Sequence, residues 1–160
     1  MFNNLQLKFC ALLSMLMISM SVNGATFVVS NTSDDIATNG SLRWAFDQAD
    51  NSPGADDIFI SASGAVTLGS EIVFTGDVTV NGNPNFIIYQ DGGNALRCNN
   101  ASNVTLVGLN IEDNVSLFNN VNGLDMNNVS SLTVIACTFT NLRFGIDVNG
   151  GDDVLSLIHI

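Results

Sequence analysis

The chain has 160 residues, which suits one ordinary domain and excludes a multidomain enzyme. Lys and Arg number 4 against 15 Asp and Glu, a formal charge of -11, and Lys8, Arg43, Arg97 and Arg143 are all of its cations. Nucleic acid and anionic membrane surfaces both demand clustered positive charge, so neither is a partner for such a chain. Hydrophobic residues at 46% are enough to close a core, which excludes disorder, and the polar remainder of Asn, Ser, Thr and Gly favours strands and turns.

Residues 1–24 read as a secretory signal. Lys8 and the amino terminus give a weak positive start, and Phe9 to Met20 form an apolar run too short to cross about 30 Å of hydrocarbon. Val22 and Gly24 are the small or slim residues that precede a cut after Gly24, with a cut after Ala25 as the alternative. Cys10 has no small residues before it, which argues against a lipoprotein anchor. The expectation is export, with no membrane insertion once the leader is gone.

Thr26–Ser30 is a β-rich run, and a polar turn follows to Gly40. Ser41 then opens a helix over Leu42–Asp50 as its N-cap. Leu42, Ala45, Phe46 and Ala49 fall at i, i+3, i+4 and i+7, one apolar face, while Arg43 and Asp47 stand four apart on the polar side and can pair weakly. Pro53-Gly54 ends the element. Beyond it the chain alternates with period two: Ile58 and Ile60, Val66 and Leu68, Ile72 and Phe74, Val78 and Val80.

Self-similarity then fixes the architecture. Asn94-Ala95-Leu96-Arg97-Cys98 recurs 28 residues later as Asn122-Gly123-Leu124-Asp125-Met126, and 22 residues on as Gly145-Ile146-Asp147-Val148. Val78-Thr79-Val80 recurs as Val104-Thr105-Leu106 and as Leu132-Thr133-Val134, and Leu109-Asn110-Ile111 pairs with Cys137-Thr138-Phe139. Asn-rich corners separate these strands. Three strand classes per repeat describe an all-β fold, a right-handed parallel β-helix, with one N-terminal capping α-helix plugging its first coil. Leucine-rich solenoids would show fixed Leu and Asn spacing, and a sandwich would show hairpins without the repeat. Cys98 and Cys137 fall on different faces of that repeat, which disfavours a disulfide.

Gly40-Ser41-Leu42-Arg43-Trp44-Ala45-Phe46, followed by Asn51-Ser52-Pro53-Gly54-Ala55-Asp56-Asp57-Ile58, resembles the N-terminal cap of secreted bacterial proteins with a CSLREA-type motif. It departs from that motif at Gly40, Trp44 and Phe46, which stand where the motif has Cys, Glu and Ile. The downstream coils are similar to pectate-lyase-like β-helices. The resemblance implies a bacterial protein, secreted or held at the cell surface, with Leu42, Arg43, Ala45 and Phe46 as structural cap residues. The expected organisation is a signal peptide over 1–24, cap strand, helix and first coil over 25–61, and β-helix coils over 62–154. A 22-residue register would set Ser156 in the inward slot of Val134, so residues 155–160 read as a non-native tail on an N-terminal fragment, and His159 carries no weight as a site residue.

No Ser-His-Asp, Cys-His, zinc or phosphate-loop arrangement is present, so no catalytic residue is assigned. Glu112 and Asp113, with Asn110 and Asn114, offer hard oxygen ligands of the kind Ca2+ takes, although a solvated acidic corner is the plainer expectation. Arg97, Asp125 and Asp147 share one outward slot on three successive coils and are the candidate ligand-binding residues. A lyase would want a base and a cation on such a face, and a hydrolase two carboxylates. The expected role is presentation or adhesion by an exported β-helix segment, with a polysaccharide or a surface protein as partner. The alternative is the N-terminal part of a polysaccharide lyase or glycoside hydrolase whose catalytic coils lie further on.

Overall fold

The computed structural model of the protein describes residues 24–90, 92–114 and 122–150, and the backbone of 154–158. Strand β1 (Thr26–Val29) precedes helix α1 (Leu42–Asn51). Strands then follow in triplets: β2 (Asp56–Ile60), β3 (Gly64–Leu68) and β4 (Ile72–Phe74); β5 (Val78–Asn81), β6 (Phe86–Gln90) and β7 (Asn94–Asn99); β8 (Asn103–Val107), β9 (Asn110–Asp113) and β10 (Asn122–Asn127). A further triplet comprises β11 (Ser131–Ile135), β12 (Thr138–Thr140) and β13 (Phe144–Asn149), and β14 (Val154–Ile158) follows it.

Each triplet contributes one strand to each of three parallel sheets. Sheet I is ordered β1-β2-β5-β8-β11-β14, sheet II β3-β6-β9-β12, and sheet III β4-β7-β10-β13. The chain is therefore a parallel β-solenoid. Identical positions on successive coils stack into columns because neighbouring strands lie about 4.8 Å apart. Ile58, Val80, Leu106 and Val134 form an inward column in sheet I, and Ile72, Leu96 and Leu124 form one in sheet III, all buried. Phe74, Cys98 and Met126 form the next. One continuous core results, running along the axis of the stack.

Helix α1 covers the N-terminal end. Ser41 Oγ accepts a hydrogen bond from Trp44 N at 3.0 Å, as the N-cap expectation requires. Leu42, Ala45, Phe46 and Ala49 are buried, and the Phe46 ring meets Phe74 at 4.9 Å between centroids. The Arg43 guanidinium does not pair with Asp47. Its Nε and Nη2 instead bridge both oxygens of Asp34, while Nη2 and Nη1 donate to the carbonyls of Ser70 and Glu71. A planar fork with a bidentate carboxylate and two carbonyls outcompetes a single helical neighbour. Arg43 thereby ties the cap loop to the turn between β3 and β4.

Corners are closed by short polar side chains. Asp50 Oδ1 accepts from Thr75 N and Gly76 N, and Asp77 Oδ1 accepts from Ser102 N and Asn103 N in the next coil. The expected register of the last strand needs correction. Ser131 pairs with Val154 and Val134 with Leu157, a step of 23 residues, so Ser156 stands opposite Thr133 and β14 continues sheet I. His159 and residues 1–23 of the expected leader lie outside the described residues.

Candidate functional site

The candidate site lies on the outer face of sheet III. Backbone pairing sets Arg97 opposite Asp125 and Asp125 opposite Asp147, as the repeat predicts. The three are not equivalent. Asp125 is only 9% exposed, and its Oδ2 accepts from Arg97 Nε at 2.8 Å and from Asn94 Nδ2 at 2.9 Å. Asn127 Nδ2 donates to Oδ1 at 3.1 Å. Arg97 Nη1 reaches Glu71 Oε1 at 2.9 Å, and the Asn94 amide spans Glu71 and Asp125. Asp147 makes no hydrogen bond or ion pair with a described residue, and it is half-buried at the lower end of the column.

Small residues at the start of these strands bring the network together. Ala95, Gly123 and Gly145 each lie between two residues that pair in register from coil to coil. A Cβ on Gly123 would stand 2.6 Å from Gly145 O and 2.8 Å from Phe139 Cδ1, so this position takes no side chain. Asn94, next to Ala95, turns to the outer side and reaches Asp125. The Asn122 Oδ1 atom is buried without a hydrogen-bond partner. Phe144, in register with Asn122, is 47% exposed, and the Arg143 guanidinium lies over its ring at 5.0 Å.

The other expected ligand pair is split. Glu112 faces outward beside Tyr89, whereas Asp113 is buried on the inward side opposite Gln90, because successive strand residues point to opposite faces. One ion cannot take both as first ligands from adjacent strand positions. Among the described residues no three His, Cys, Asp or Glu side chains gather as a metal-binding group. Cys98 and Cys137 are both free thiols. Burial pushes the Cys98 thiol up to about 12, with the Asp50 and Asp77 carboxylates adding to the rise, and burial also raises Cys137.

Sequence periodicity missed Glu71 and Asn94, which complete the network from the strand starts. Glu71 keeps the outward phase of Val73, but Asn94 shares the period-two phase of inward Leu96 and Cys98, so its turn to the outer face and its reach to Asp125 are tertiary effects. Chemically the face offers a saturated ion-pair core, a rim of Asp147 and Asn149, and an aromatic edge at Phe144. Such a rim can accept and donate hydrogen bonds and stack an apolar ring face. No described helix is long and apolar enough to cross a membrane. A scan against protein-family models found no match, and a search of curated proteins found none either.

Proposed function

We propose that this chain is the β-helix of an exported protein, secreted or displayed at a bacterial surface, that presents the outer face of sheet III to a polysaccharide or a neighbouring surface protein. The observation that carries the reading is the juxtaposition on the outer face of sheet III of exposed Phe144, half-buried Asp147 and the Arg97–Asp125 pair. Planar hydrogen-bonding groups beside an exposed ring suit a sugar, which has hydroxyls at its rim and an apolar ring face. Resemblance of the cap to CSLREA-type proteins and of the coils to pectate-lyase-like β-helices supports the location. Catalysis on this face is the weaker reading. Arg97 is engaged by Glu71 and Asp125, and Asp125 already accepts three donors, so neither is poised to act on a uronate.

Glycan-array binding of the exported protein tests the proposal, with Phe144→Ala and Asp147→Asn as variants. Retention on a subset of polysaccharides, weakened about fivefold or more in Phe144→Ala, is expected, since an aromatic contact is worth about 1 kcal/mol or more. Equal retention of both variants, or none by the wild type together with no captured surface protein, would overturn it.

A further inference from the structure

Down three coils of sheet I the first inward position reads Val78, Val104 and Leu132, and at the top of that column it holds Asp56. A carboxylate thus occupies a slot that the fold fills elsewhere with aliphatic side chains. Asp56 is 2% exposed. Its Oδ1 accepts a hydrogen bond from the Ala25 backbone nitrogen at 2.6 Å, and Asp57 N donates to Ala25 O at 2.8 Å, so residue 25 is held from both sides.

No cationic side chain among the described residues answers this carboxylate. Arg43 is taken by Asp34 and the Ser70 and Glu71 carbonyls, Arg97 by Glu71 and Asp125, and Arg143 lies over Phe144. A buried carboxylate answered only by a neutral amide is a costly arrangement. Just before Ala25, the backbone at Gly24 runs so close to Ala55 that a Cβ there would lie 1.6 Å from Ala55 O. Gly24 is also the residue at which the small-residue signal pattern of Val22-Asn23-Gly24 ends.

We propose that the chain is cut between Gly24 and Ala25, and that the α-ammonium so released is the counter-ion of Asp56. The cut is made on the unfolded chain by an endopeptidase of the signal-removing class. Water adds across the Gly24–Ala25 peptide bond, the carbonyl carbon leaves as the Gly24 carboxylate, and the nitrogen becomes the Ala25 amine, which takes up a proton near neutral pH. The neutral N–H donor to Asp56 is thereby replaced by a cation at the same place, and a charge-assisted bond closes the top of sheet I. A cut after Ala25 would discard the residue that Asp56 holds. The inference rests on the export reading for the cut, while the pairing of residues 25 and 56 stands on geometry.

Lys8 is the sole lysine, so a chain beginning at Ala25 carries one primary amine, its own N-terminus. The test takes the protein exported under its own leader, reads its intact mass, and acetylates it with acetic anhydride in the native and urea-unfolded states. The expected mass is that of a chain starting at Ala25. Native acetylation should run about tenfold slower than in urea, the factor that one unit of amine pKa carries. The acetylated protein should melt several degrees lower, a difference that disappears in Asp56→Asn. An exported protein starting at Thr26 or elsewhere overturns the cut alone. A start at Ala25 with equal acetylation rates and equal melting overturns the ion pair. Protein retained in the cell with Met1 intact brings down the export reading as well. If Asp56→Asn fails to fold, the rate ratio in the wild type decides.

Discussion

Asn128 donates its side-chain amide to Asn100 Oδ1 at 3.2 Å from one coil to the next, and both residues hold left-handed backbone at φ 53° and 61°. Their position continues as Gly150 at φ 72°, where a Cβ would lie 2.5 Å from Asn128 Oδ1. Asparagine suits the first two corners because it tolerates this conformation and bonds along the stack. Replacing Asn128 with Ala keeps the strained backbone and removes the bond, at an expected cost of about 1–3 kcal/mol. Asn128→Gly relieves the backbone and should cost less. Urea unfolding of the two variants checks the order, and Ala being tolerated as well as Gly would contradict it.

The corner after β8 and β11 gives the converse case. Gly108 sits at φ 63°, and one coil on the same position is Ala136 at φ 51°. Alanine has neither the freedom of Gly nor the local bonding of Asn in that region. Ala136→Gly should therefore raise stability by about 0.5–1 kcal/mol despite the added freedom of the unfolded chain. A melting temperature that falls or stays level would show that the corner is not strained.

Columns were legible in the sequence because each inward side chain must meet its equivalent one repeat away; Leu96 and Leu124 announce the register unaided. The step into β14 was not legible. It is one residue longer than the 22-residue step between β10 and β13, and a slip of one reassigns every side chain on a strand. Arg43 departs from its helical expectation for a different reason. Helical spacing offers Asp47, whereas the fold supplies Asp34 from the preceding loop, and no local pattern encodes that choice. The alignment of Arg97, Asp125 and Asp147 was readable from the repeat, but the burial of Asp125 depends on Asn94 and Glu71 arriving from other coils. Asp56 carried a usable signal. It keeps the phase of Ile58 and Ile60, and a carboxylate on an apolar phase asks for a partner.

Asp125 and Asp147 share a column, yet their substitution should differ in effect. Asp125→Asn strips the charge that Arg97 Nε and Asn94 Nδ2 address in a half-dry setting, with an expected loss of about 2–3 kcal/mol. Asp147→Asn removes a carboxylate with no described partner and should stay within about 0.5 kcal/mol of wild type. Denaturant midpoints of the two variants decide the matter. Equal losses would mean that the network does not stop at Asp125.

Alkaline pH should weaken the fold through Cys98. The thiol is buried between Phe74 and Met126 in the inward column of sheet III, and burial pushes it up to about 12 from an ordinary 9.0. A group raised in the folded state holds its proton there while the unfolded chain gives it up. Its contribution is therefore complete below pH 9 and declines as the pH climbs from 9 toward 12, by about 1 kcal/mol for each unit. Cys137 is raised as well and acts in the same direction. Cys98→Val fits the column, which ends in Val148, and removes the titrating group at little packing cost. Urea unfolding of wild type and Cys98→Val at pH 8, 9.5 and 11 isolates the effect, because the two proteins differ at this one side chain. The stability difference should swing toward the valine variant as the pH rises. Parallel lines for the two proteins would mean that the Cys98 thiolate is tolerated inside the solenoid, through water entry or local opening of sheet III.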